Sequence, residues 1–297
     1  MTRTTAIPDM RQRLWTRRRA SALGPFAVLV YAFLLLVALP AAAGTDPRID
    51  AIERALQLPE TFAVLEEEGA HYGEELAKEI LPGGANAAWR QEVVAIYAPA
   101  RIEPLFRAQL ATSLAGSDLD AILAFVESDL GRRLVTLELS ARRALLDPSV
   151  EDASLLRLEE LHETRDPRLG RIETLLTAGD LVEENVASAM NANLAFYHGL
   201  ADGGSQLGAT GNEDILGDVW AQEDDVRAET TEWLMQMLVL AYAPLDDAEI
   251  DAYGAFMATM AGKQLNRALF DAYGAVFNDV SYQLGRAAAR VLSGQDI

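Results

Sequence analysis

The sequence contains no cysteine. That excludes a disulfide framework, a thiolate metal site, a cysteine nucleophile and a lipid anchor attached through a cysteine. Basic residues are scarce: 25 Lys and Arg stand against 45 Asp and Glu, a formal net charge of -20. No bulk positive surface is therefore available to hold nucleic acid or polyphosphate. Aromatics make up 7% of the chain, and Trp and Tyr are not interleaved with Lys or Arg as base-stacking surfaces require. There is no glycine-rich phosphate loop and no serine in a nucleophile elbow. The three histidines, His71, His162 and His198, stand in no context that marks a catalytic triad. Long alternating β-branched and aromatic runs, the mark of strands, are missing as well.

What is present begins with an address. Arg3, Arg11, Arg13, Arg17, Arg18 and Arg19 precede an uncharged apolar run from Ala20 to Leu39, and Pro40-Ala41-Ala42-Ala43 follows with small residues in an A-x-A arrangement. This is the pattern of a secretory signal peptide over residues 1–43, cut after Ala43 and served by the general secretory route. The alternative is an uncleaved inner-membrane anchor facing the periplasm, since about 20 apolar residues just span a bilayer. Residues 1–43 hold six of the arginines and one aspartate, so the other 254 residues carry 19 basic and 44 acidic side chains, a net of -25. Such a surface stays soluble, repels anionic lipid and nucleic acid, and tolerates cationic partners.

Half of the residues are hydrophobic and 24% are charged, enough for a core without compositional disorder. Apolar residues recur at spacings of three and four, which predicts an all-α chain. One helix is expected over Pro59–Ile80, opened by Pro59 and stopped at Gly83-Gly84. A second spans Asn86 to Leu114, kinked or split by Pro99 and Pro104. A third, capped at Ser117 with Asp120 three residues on, runs through Leu119, Ile122, Val126, Leu130, Leu134, Leu137 and Ala141 to Asp147-Pro148.

The same order then returns. At an offset of 131 residues, Trp89 falls on Trp220, Ala124-Phe125 on Ala255-Phe256, and Gly131-Arg132-Arg133-Leu134 on Gly262-Lys263-Gln264-Leu265. Upstream the offset is 120, the difference of 11 being an insertion around Ser205 to Gly217. This register implies a tandem duplication. The expected organisation is a first helical unit at 49–147, a helical connector at 148–167 and a second helical unit at 168–293.

Ala124-Phe125-Val126-Glu127-Ser128-Asp129-Leu130-Gly131-Arg132-Arg133-Leu134, after a polar Ser-Asp-Leu-Asp helix start, resembles the repeated core of the uncharacterised bacterial domain-of-unknown-function family 2059. Ala255-Phe256-Met257-Ala258-Thr259-Met260-Ala261-Gly262-Lys263 resembles a looser copy. Val126 and Met257 depart from the Phe-Tyr pair usual in that family. The resemblance implies an exported all-helical protein and brings no established activity. At about 100° per residue, Phe125 lies off the main apolar stripe and Gly131 on its other shoulder. A mid-helix glycine costs about 1 kcal/mol relative to alanine, so Gly131 and Gly262 are expected to admit a close helix crossing. Phe125 and Phe256 are expected to serve internal packing, the alternative being a contact between the units or with a partner.

The residues most apt for binding are thus Phe125, Gly131, Phe256, Gly262, Trp89 and Trp220. No catalytic set and no cofactor site emerge. The expected function is that of a non-enzymatic binding or interaction module of the bacterial envelope, with an unidentified protein or small apolar ligand as partner. An alternative rests on two Glu-x-x-His motifs, Glu68/His71 and Glu159/His162, whose i,i+3 spacing is that of di-iron helix bundles. A chaperone-like role in envelope assembly is a third. The acidic stretch Glu213-Asp214, Asp218 and Glu223-Asp224-Asp225 lacks the order of a calcium loop; acids at a helix start, favoured by the dipole, explain it.

Overall fold

The computed structural model describes residues 46–205, 216–217 and 219–294. The signal peptide expected over residues 1–43, and Glu213, Asp214 and Asp218, lie outside them. Among the described residues every regular element is a helix and no strand occurs. In chain order the helices are α1 Pro47–Ala55, α2 Leu58–Ile80, α3 Ala87–Tyr97, α4 Pro99–Ser113, α5 Leu119–Val126 and α6 Asp129–Ala144. They continue with α7 Pro148–Thr164, α8 Pro167–Ala178, α9 Leu181–Asp202, α10 Glu223–Ala241, α11 Asp247–Ala258 and α12 Met260–Leu292. Among the described residues no helix is long and apolar enough to cross a membrane.

The boundaries follow from local chemistry. Pro47, Pro59, Pro99, Pro148 and Pro167 occupy the first turns of their helices, where a missing N–H costs nothing. Asp46 and Asp166 cap α1 and α8 by accepting the N–H groups of Arg48 and Arg168, each at 2.9 Å. The helix expected over Asn86 to Leu114 is two. Ala98 turns extended at ψ 126°, because the ring of Pro99 disfavours helical backbone in the residue before it. Pro104 lies inside α4 without ending it. Glu223, Asp224 and Asp225 stand in the first turn of α10, where the dipole favours acids.

The helix expected over Ser117 to Asp147 also breaks. Its cap is Asp118, which accepts the Ala121 N–H at 3.1 Å, and the chain leaves the helix after Val126 to begin again at Asp129. Ser128 makes the break: its backbone is extended (ψ 162°) and its hydroxyl accepts the Gly131 N–H at 3.0 Å, so α6 starts with its own cap. Thr259 does the same between α11 and α12, accepting the Gly262 N–H at 3.0 Å.

α12, 33 residues long, is the central element and packs on α9, α4, α11, α3 and α5. Its crossing with α9 is backbone to backbone. A Cβ on Gly199 would lie 2.1 Å from the Tyr282 carbonyl oxygen, and one on Gly285 2.1 Å from that of Phe196. α10 covers α6, α7, α8 and α9. The buried apolar side chains form one cluster from Ile49 to Ala289, drawing on every described helix.

Candidate functional site

The two corners place the residues that the sequence singles out. At the first, the Phe125 carbonyl oxygen accepts the Ser128 N–H at 2.9 Å, and a Cβ on Gly131 would sit 2.2 Å from that same oxygen. At the second, Phe256 accepts the Thr259 N–H at 2.9 Å, and a Cβ on Gly262 would sit 2.1 Å from its oxygen. This corrects the expected mid-helix crossing. Both glycines occupy the third position of a helix, and what a side chain would strike is the end of the preceding helix. The Phe, Ser or Thr, and Gly of the motif are therefore the parts of one tight helix corner: the aromatic, the cap and the clearance.

The corners meet each other. The rings of Phe125 and Phe256 stack in parallel, 3° apart in plane with centroids at 3.7 Å. Beneath them lies a cavity of about 20 Å³ lined by Val126, Gly131 and Leu134 from one corner and Met257, Gly262 and Leu265 from the other. It has room for about one water and is lined by apolar groups. Around the stack, the Arg133 guanidinium reaches the Glu249 carboxylate and donates to the Pro244 carbonyl oxygen at 2.7 Å. Gln264 Oε1 accepts the Asp118 N–H at 3.2 Å.

Behind the stack lies a buried polar group that sequence reasoning passed over. Glu138 of α6 is 2% exposed, and Oε1 accepts the Tyr242 hydroxyl from the end of α10. Tyr253 of α11, also buried, sets its ring edge-on to that of Tyr242, with centroids 6.1 Å apart. Oε2 has no hydrogen-bond partner among the described residues. Burial pushes the Glu138 carboxyl up to about 8, against the pull of Tyr242 and Arg142. Burial also drives the phenols of Tyr242 and Tyr253 well above their usual range, with the Glu138 charge adding to it. One turn along α6, Arg142 is buried and clasps Glu68 of α2 through Nε at 3.0 Å and Nη2 at 2.5 Å. Burial opposes the Arg142 charge, and Glu68 holds it in place. The available signal was an acid four residues after Leu134, on the buried stripe of its helix.

The two tryptophans part company. Trp89 is fully buried and its indole N–H donates to the Gly73 carbonyl oxygen at 2.8 Å. Trp220 is 58% exposed and lies in the chain between the half-exposed Leu216 and the acidic start of α10. Of the two Glu-x-x-His motifs, Glu68 is taken by Arg142, while His71, Glu159 and His162 are exposed on α2 and α7. Among the described residues no three His, Cys, Asp or Glu side chains form a group able to hold a metal. His71 instead borders a shallow cleft of about 290 Å³ with Glu74, Arg90 and Val94.

Comparison with known proteins agrees with the resemblance read from the first corner. Residues 100–154, from α4 through the corner and α6 into α7, match the model of a family described as "Uncharacterized protein conserved in bacteria (DUF2059)". No curated protein and no solved structure matches the chain.

Proposed function

We propose that this chain is a non-enzymatic binding module exported to the bacterial envelope, built from two tandem copies of one helical unit. The N-terminal basic and apolar pattern supports export, and the matched family is bacterial. The 131-residue register supports duplication, since it places the corners on each other residue by residue. The observation that carries a binding role is Trp220. Where Trp89 fills the core and bonds its N–H, Trp220 holds an apolar indole in water, four residues after the exposed Leu216 and three before a helix start bearing Glu223, Asp224 and Asp225. Exposed Trp is the residue type on which protein interfaces concentrate their binding energy. An exposed apolar anchor followed in the chain by three carboxylates suits a partner surface with an apolar pocket and basic edges.

The test is a pull-down from envelope extracts with the wild-type chain and with Trp220→Ala. A partner held by the wild type and lost with the variant is the expected result; identical captured sets would remove Trp220 from the reading. Elemental analysis decides against the metal alternative or for it. Stoichiometric iron or manganese that disappears in a His71→Ala, His162→Ala double variant would sink the binding-module reading.

A further inference from the structure

The contacts between the corners are reciprocal under the 131-residue register, and this inference rests on the duplication proposed above. Phe125 stacks on Phe256, its own counterpart. Arg133 reaches Glu249, while Gln264, the counterpart of Arg133, reaches Asp118, the counterpart of Glu249. Beside Leu56 and Tyr253, the cavity is lined by counterpart pairs: Val126 with Met257, Gly131 with Gly262, Leu134 with Leu265, Val135 with Asn266. At the level of helices, α4 packs on α12 and its counterpart α10 packs on α6, the counterpart of α12. A contact in which residue i of one unit meets j of the other, and j meets i, is that of a twofold homodimer. Here the two protomers are joined in one chain.

Such an interface carries a hazard. A surface that fits its own copy also fits the same unit of a second molecule, and one chain with two such surfaces could link molecules in series. The reciprocity fails at the buried Glu138. Glu138 is met by Tyr242 and Tyr253, but at the counterpart positions stand Leu269, Ala111 and Ile122. Leu269 and Ile122 are fully buried. The polar trio therefore exists only when the first unit pairs with the second. If two first units paired, each Glu138 would face Ala111 and Ile122 and no hydroxyl.

We infer that the Glu138–Tyr242–Tyr253 trio is a pairing lock, which makes an otherwise self-complementary interface accept the other unit of the chain and reject the same unit of a second copy. A buried carboxyl without its hydroxyl partner biases the choice by about tenfold to a hundredfold. Single buried polar groups set partner and register in this way in coiled coils.

Cysteine chemistry tests the lock, because the chain has none of its own. Phe125→Cys is made in the wild-type background and in a background carrying Glu138→Leu, Tyr242→Ala and Tyr253→Ile, which installs the counterpart residues. Both chains are unfolded, refolded at matched concentrations, checked for helicity by circular dichroism and oxidised. Without the lock, residue 125 meets residue 125 of a second copy, and the disulfide-linked dimer rises at least about tenfold over the single variant. Phe125→Cys with Glu138→Gln, which retains a hydrogen bond to Tyr242, stays monomeric. If the triple background does not regain its helicity, Glu138→Leu alone replaces it with the same expected outcome. Equal crosslinking in both backgrounds overturns the lock and leaves the duplication standing. No crosslinking in either helical chain overturns the lock likewise.

Discussion

Glu138 illustrates how much one buried carboxyl can govern. Its carboxyl stands at about 8 in the folded chain against an ordinary value of 4.5, so between those values the folded chain binds more protons than the unfolded one. Stability from this group is therefore fully present below the ordinary value and falls as pH rises toward about 8, by at most about 1.4 kcal/mol per pH unit. Glu138→Gln, neutral at every pH, is expected to remove that slope and to gain stability over the wild type on the alkaline side. Chemical unfolding at about pH 5 and about pH 8 measures it; an unchanged slope would show that Glu138 is ionised in the fold. Glu53, raised to about 7 by burial beside Arg107 at 3.2 Å, adds a dependence of the same sign over a narrower range that ends at about pH 7. Neither group was legible in the sequence as a titrating one. Helical spacing placed Glu138 on an apolar stripe, but only packing supplies the desolvation and the tyrosines.

At the scale of the element, the corner is where sequence reasoning came closest and still erred. The residues that matter, Phe125, Ser128 and Gly131, were all picked out, and periodicity carried one helix straight through them. Periodicity survives the break because both helices present Leu and Val to the same core, so the spacing alone does not see a serine acting as a cap. The glycines were assigned a crossing with a distant helix, whereas the close approach is local. A direct test compares two glycines in helices. Gly131→Ala drives a methyl against the Phe125 oxygen and is expected to cost about 2 kcal/mol or more. Gly254→Ala, in α11 with open space around it, is expected to gain up to about 1 kcal/mol from helix propensity. Urea midpoints of the two variants that moved together would refute the corner. The genuine helix crossing of this protein joins Gly199 and Gly285, and nothing in the spacing of α9 or α12 distinguished those two from other small residues.

For the whole molecule, the sequence suggests two units, while the described residues share one core. The buried cluster is continuous from α1 to α12, and α12 packs on helices from both halves. One core of this kind unfolds as one body. Calorimetry of the chain is expected to give a single transition whose calorimetric and van't Hoff enthalpies agree; two separate transitions would mean that the halves are independently stable. The placement of Trp89 and Trp220 makes the same point. Identical residues in equivalent register ended in opposite surroundings, one in the core and one in water.

Read alone, the amino-acid order settled the helical class, the absence of thiol chemistry and the helix that ends at Ile80. These depend on composition, turn-by-turn spacing and proline or capping residues, all of which act within a few positions along the chain. The tertiary structure decided that the corners stack on each other, that Glu138 meets Tyr242 and Tyr253, and that Arg142 claims Glu68 from the metal motif. Those outcomes are contacts between residues 74 to 131 positions apart. Desolvation and hydrogen bonding over such distances exist only once the core has closed, so no local pattern encodes them.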